Sequence, residues 1–196
     1  MTVTVRLIGI ALSLLLATPF LWAGEPTERI RASVDTGLQV VNDPRLQSAD
    51  KKKERNDRLR EIVYSLFDFN EMAKRSLGSY WRKLTPQQQQ EFVPAFRDFL
   101  EKIYADRVDL YNGQKAIFLK EVVDRDYAEV YSKIVNKKGT EIAVIYKMRR
   151  ADGGWKVYDV AVENISLVNN YRAQFSRLMA NSSFEELMKK MKEKTS

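Results

Sequence analysis

The chain contains neither cysteine nor histidine. Without a thiol there is no disulfide, no cysteine nucleophile and no acylation site for a lipoprotein. Without an imidazole there is no histidine base, and an ordinary zinc site loses its usual ligands. No glycine-rich phosphate loop and no G-x-S-x-G elbow occurs. Catalysis would have to rest on carboxylates, lysine or tyrosine alone. Asp159 and Glu163 share a strand parity, but that spacing sets them up to about 13 Å apart, too wide for direct cooperation. The sequence therefore argues against an enzyme and names no catalytic, metal-binding or cofactor-binding residue. An exported α+β enzyme acting on a small apolar substrate is the alternative reading, and a structural adaptor a third. Internal repeats and interdomain linkers are also missing.

What is present begins with a leader. Residues 1–23 carry one charge, Arg6, followed by an apolar run over residues 7–16, and Leu21-Trp22-Ala23 offers a small residue before Gly24. This pattern predicts a secretory signal peptide cleaved near Ala23. The run is short for a membrane span, and Pro19 interrupts the apolar residues beyond it. Residues 24–196 then form one domain. Their net charge is +6, because only Arg6 leaves the whole-chain value of +7. Positive charge favours anionic partners or serves solubility alone; for an exported protein, lipid headgroups are better partners than nucleic acid. An exported domain without disulfides relies on its apolar core, and 44% hydrophobic residues can supply one. A bacterial periplasm fits these features.

The first half of the domain reads as helices. Ile30, Val34, Leu38 and Val41 line one face over residues 26–41. Residues 49–67 open with the basic run Lys51-Lys52-Lys53, best read as a solvated helix end, and then carry Leu59, Ile62, Val63, Leu66 and Phe67. Asp68 caps a short helix that stops at Gly78. Thr85-Pro86-Gln87-Gln88 is a capping box with proline at the first helical position. The helix it starts carries Phe92, Phe96, Phe99, Leu100, Ile103, Tyr104 and Val108, with Pro94 expected to kink it.

From Ala116 the period changes to two. Residues 117–123, 127–135, 141–149 and 155–162 read as strands joined by turns at 124–126, 136–139 and 152–154, which makes an antiparallel four-stranded meander. In the last strand Tyr158, Val160 and Val162 are expected on one face, and Trp155, Val157, Asp159 and Ala161 on the other. The chain turns at Glu163-Asn164-Ile165-Ser166 into a helix on Leu167, Val168, Tyr171, Phe175 and Leu178, with Ser166 as N-cap. Asp159 and Arg172 flank this turn and are candidates for a buried ion pair, or for two separate solvated charges. Asn181 ends that helix, and Ser183 with Glu186 caps a last one. Helices, a meander, then helices predict an α+β fold with helices on one face of a twisted antiparallel sheet.

The segment WKVYDVAVENISLVNNYRAQF (155–175), together with FDFNEMAKRSLGSYWRKLTPQQQQEF (67–92), resembles the MlaC family of periplasmic phospholipid-binding proteins, also called toluene-tolerance proteins. The two blocks stand in the family's order, and the likeness extends over nearly all of residues 24–196. Asn164 stands where the family usually has glycine; asparagine reaches the same left-handed backbone at modest cost. The resemblance implies that helices and sheet enclose an apolar cavity for the acyl chains of a diacyl phospholipid, with no cofactor beyond that ligand. It implies a monomer that shuttles lipid between an inner-membrane ABC transporter complex with a hexameric lipid-binding subunit and an outer-membrane lipoprotein–porin complex, maintaining outer-membrane lipid asymmetry. Under it, the candidate lining is Leu100, Ile103, Tyr104, Val144, Tyr146, Val160, Val162, Leu167, Tyr171 and Phe175. Each buried methylene is worth roughly 0.8 kcal/mol, so a tail of about fifteen carbons gains on the order of 10 kcal/mol over water. A carrier must hide such tails, and needs no covalent chemistry to do so.

Overall fold

A computed structural model describes residues 24–105, 113–151 and 153–194. The expected leader, Val108 and Asp152 lie outside the described residues.

Helix α1 (Glu25–Asn42) has Pro26 in its first turn, and its buried side includes Ile30 and Ser33. Two short 3₁₀ turns, Pro44–Leu46 and Ala49–Lys51, lead into α2 (Lys52–Leu66). The next helix, α3 (Phe69–Leu77), starts where the Asp68 side chain accepts from the Glu71 amide, and ends at Gly78 with φ 57°. The capping box forms as expected at the start of α4 (Pro86–Ala105). The Gln88 amide donates to Thr85 Oγ1 at 3.2 Å, and the Thr85 amide donates to Gln88 Oε1 at 3.0 Å. This helix runs unbroken through Pro94, which is exposed, as is Gln90 four residues before it. Proline thus falls on the exposed side of the helix, where water can replace a lost partner.

The strands are β1 (Lys115–Asp124), β2 (Tyr127–Val135), β3 (Glu141–Ala151), β4 (Gly154–Val162) and β5 (Ile165–Ser166). They pair antiparallel in chain order. The fold is the expected α+β arrangement, with five strands rather than four. The extra strand arises at Glu163-Asn164, where φ is 48° and 64°. Two successive positive φ values make a tight hairpin turn, so Ile165 and Ser166 pair back on Val162 and Ala161 before the helix begins. Asn164 adopts the left-handed conformation expected of it. Ser166 then caps α5 (Leu167–Asn181), and Ser183 caps α6 (Phe184–Glu193).

One expectation about β4 is overturned. Its register against β3 shifts between Lys147 and Met148: Val157 faces Met148, Asp159 faces Lys147, and Tyr158 is the extra residue. This bulge reverses the alternation. Trp155 and Val157 share a face with Met148, whereas Asp159 and Ala161 share the opposite face with Lys147 and Ile145. Val160 and Val162 thus lie on the same face as Val157 instead of opposite it.

Two apolar cores result. One lies among the helices: Met72, Leu77, Phe92, Phe96, Phe99, Leu100, Tyr171, Phe175, Phe184 and Leu187 are all buried in it. The other lies under α1 and α2 on one face of the sheet, around Ile30, Leu66, Val130, Met148, Trp155 and Val157. Phe67 packs against both. It does so because the chain between α2 and α3 runs parallel to β4: Phe67 pairs with Val157, and the Asp68 amide donates to the Val157 carbonyl at 2.8 Å.

Candidate functional site

The strand-to-helix junction is built around Asp159, which is only 4% exposed. Its two oxygens accept from the Ser166 hydroxyl at 2.6 Å and the Val168 amide at 3.0 Å. Ser166 Oγ in turn accepts from the Asn169 amide at 3.0 Å. A buried carboxylate thus satisfies the first turn of α5 and compensates its dipole. The expected Asp159–Arg172 pair does not form, and neither do two solvated charges. Arg172 is exposed, and its Nε donates to the Arg75 carbonyl of α3 at 2.9 Å, alongside Gly78. Helix α5 turns that side chain towards α3 and away from β4. Glu163 is likewise tied to backbone, accepting from the Ala143 amide at 2.5 Å.

The ten candidate lining residues fall into two groups. On the helical side, Leu100, Tyr171 and Phe175 are buried, and Leu167 is packed against the same core. The rings there meet edge to face: Phe96 with Tyr171 at 5.7 Å, Phe99 with Tyr171 at 5.4 Å and Phe92 with Phe175 at 5.9 Å. Burial pushes the Tyr171 phenol well above its ordinary range, and the neighbouring Tyr104 adds to this. At the end of α4, Ile103 and Tyr104 are exposed.

The sheet side holds the other four. Val144 pairs with Val162 and Tyr146 with Val160, on the face that also carries Val130 and Ser132. Val144 is buried, Tyr146 and Val160 are half-buried against the sheet core, and Val162 is 45% exposed. Burial pushes the Tyr146 phenol up, while the Ser132 hydroxyl beside it works in the opposite direction. Ile142 pairs with Ile134 on the same face and is also exposed. The face thus grades from a closed core at Met148 to open apolar surface at Ile142 and Val162. Two surface depressions of 520 and 540 Å³ lie elsewhere, one lined by Gln88, Phe184 and Met188 and the other by Lys52, Lys53 and Arg60. None of the ten candidates lines either.

A polar tie joins α2 to α4. Glu101 accepts from Arg60 Nε at 2.7 Å and from the Tyr64 hydroxyl at 2.8 Å, and Arg97 lies 4.8 Å over the Tyr64 ring. The Arg60 bond foremost, with Tyr64, holds the Glu101 carboxyl below its ordinary range against burial. Burial, then Glu101, pushes the Tyr64 phenol up to about 12, so it stays a donor. Neither these residues nor Phe67 was singled out from sequence as part of a site; their apolar or charged periodicity marks helix faces and says nothing about contacts far along the chain. No group of three acidic side chains that could hold a metal, and no helix long and apolar enough to cross a membrane, occurs among the described residues.

Comparison with known proteins gives this arrangement a context. A solved phospholipid-binding protein from Ralstonia solanacearum, in complex with a phospholipid, superposes with a TM-score of 0.75 at 23% identity, covering 88% of this chain and 97% of that one. The toluene tolerance protein ttg2D of Pseudomonas putida is 28% identical over 149 residues, 74% of this chain and 69% of that protein. The intermembrane phospholipid transport system binding protein MlaC of Haemophilus influenzae is 26% identical over 125 residues. That match takes in 61% of this chain and spans 58% of the length of the Haemophilus relative. Residues 31–193 match the family described as MlaC protein, and the chain belongs to that family.

Proposed function

We propose that the protein is an exported, periplasmic phospholipid carrier, and that its cargo is held as intact diacyl lipid and never hydrolysed. The observation that carries this reading is membership of the MlaC family across residues 31–193. The relatives' names, a phospholipid transport system binding protein and a phospholipid-binding protein, point the same way. Three further features support it. The chain lacks cysteine and histidine, and its two best-placed carboxylates, Asp159 and Glu163, are engaged with backbone amides. The sheet's apolar face remains open at Ile142 and Val162. Its two cores share Phe67, a construction in which helices and sheet can part to admit acyl chains. In this reading Leu100, Ile103, Tyr104, Val144, Tyr146, Val160, Val162, Leu167, Tyr171 and Phe175 contact the tails. The partners are an inner-membrane ABC transporter complex with its hexameric lipid-binding subunit and an outer-membrane lipoprotein–porin complex, and the carrier moves lipid between them as a monomer.

Native mass spectrometry of gently extracted protein tests the proposal. The expected result is one or two diacyl phospholipids per chain. Protein that is lipid-free after native extraction and takes up nothing from liposomes overturns it. Release of fatty acid would instead support an exported enzyme.

A further inference from the structure

The amino end of α1 is finished by a side chain from the sheet. Gly24 is the N-cap and has no side chain to offer. In its place, Glu121 of β1 accepts the Thr27 amide at 2.8 Å and the Thr27 hydroxyl at 2.6 Å, both on Oε2. Thr27 is 4% exposed and Glu121 half-buried, so the cap is part-buried. The other oxygen, Oε1, lies against Gly24 itself: a Cβ built there would stand 1.9 Å from it. A residue's nitrogen sits about 2.5 Å from its own Cβ, so the Gly24 nitrogen is within about 4.4 Å of Oε1. A side chain at position 24 would force the Glu121 carboxylate to shift.

The other charges around this end are already engaged. Glu25 accepts from the Trp155 indole at 3.2 Å and from Arg150 at 3.4 Å. Glu28 pairs with Arg31, whose guanidinium lies 4.7 Å over the Phe118 ring. Glu121 is the carboxylate turned towards the Gly24 backbone.

We infer that cleavage of the Ala23–Gly24 peptide bond creates a structural ion pair between the new α-ammonium of Gly24 and Glu121. A signal peptidase adds water across that bond. The hydroxyl goes to the Ala23 carbonyl carbon, which leaves as a carboxylate. The Gly24 nitrogen leaves as an amine and takes up a proton, since an α-amino group has a pKa of about 8. An ammonium at a helix amino end is opposed by the helix dipole. Glu121 offsets both positive charges while still capping Thr27. Before cleavage the same nitrogen is a neutral amide, so α1 docks on β1 without this pair; processing tightens it. The inference rests on export and not on what the protein carries, so a failure of lipid loading would leave it standing.

Two measurements test it. Intact mass and N-terminal sequencing of the exported protein should find Gly24 first; a start elsewhere overturns the inference. Residues 24–196 can also be produced behind a short neutral tag that a protease removes to free Gly24. Removal should raise Tm by about 2–4 °C, the shift that one modest ion pair gives a chain this size. The gain should vanish in Glu121→Gln, which keeps an oxygen for Thr27 but loses the charge. An unchanged Tm on tag removal overturns the inference, as does a gain that survives Glu121→Gln. The tag comparison in the unsubstituted chain decides the matter even if Glu121→Gln folds poorly.

Discussion

Asp159 shows how far local sequence signals reach. Caps made within a few residues were legible: Asp68, Thr85, Ser166 and Ser183 all accept from the amide three positions on. Asn164 was legible too, because few residues tolerate φ of 64°. The partner of Asp159 was not. Nearness in sequence suggested Arg172, but the carboxylate meets the helix start and the guanidinium meets the carbonyl of Arg75, a residue 97 positions away. Asp159→Ala should therefore cost about 2–3 kcal/mol, because a buried amide and a hydroxyl lose their acceptor. Arg172→Ala should cost under about 1 kcal/mol, since its bond is exposed. Urea denaturation with an unchanged m-value checks both; equal losses would mean that the two residues act as one pair after all. Asn164→Gly should leave stability within about 1 kcal/mol, relief of left-handed strain being set against the greater freedom of the unfolded chain.

Elements were found almost everywhere the periodicity pointed, because helix and strand periods are written into five or more residues at a time. The misses are short or irregular. Strand β5 has two residues, too few to show a period. The bulge at Tyr158 reverses the parity of β4 without altering its composition, so the sequence pattern placed Val160 and Val162 opposite Val157. Pro94 is expected to kink α4; the helix runs unbroken through it, Phe96 and Leu100 are buried in the helical core, and Phe96 stacks on Phe92 at 5.7 Å. The helix tolerates proline because position 94 faces solvent. Pro94→Ala should thus raise stability, by up to about 3 kcal/mol if the restored bond is a regular one, and leave lipid loading as it was. A drop in lipid loading or exchange rate would show that the proline shapes the acyl-chain site.

At the scale of the whole molecule, the two cores are coupled by Phe67, by the backbone pairing of 67–68 to β4 and by the Glu101 tie. The tie has a pH signature. The Glu101 carboxyl is held below its ordinary value in the folded state, with Arg60 the first cause. Its contribution is therefore present above the unfolded value of 4.5 and is lost as pH falls through the folded value. Glu101→Gln should lower stability by about 1 kcal/mol at pH 7 and flatten its decline below pH about 4.5; a decline as steep as that of the unsubstituted chain would assign it to other carboxylates. The same division into cores decides what the sheet face between them does. Val130 is fully buried in the sheet core; Val160, in the same cross-strand row beyond Tyr146, is half-buried, and Val144 stands one row nearer the open end. Val130→Trp should cost at least about 1–3 kcal/mol through overpacking, whatever the protein carries. In a lipid carrier, Val144→Trp and Val160→Trp place their rings in space that a tail would occupy. Lipid per chain, read by native mass spectrometry, should fall several-fold, while the urea midpoint of the delipidated protein barely moves. If both variants instead load lipid normally and lose as much stability as Val130→Trp, the face at Val144 and Val160 is closed core and the acyl chains lie elsewhere, on the helical side around Leu100 and Tyr171.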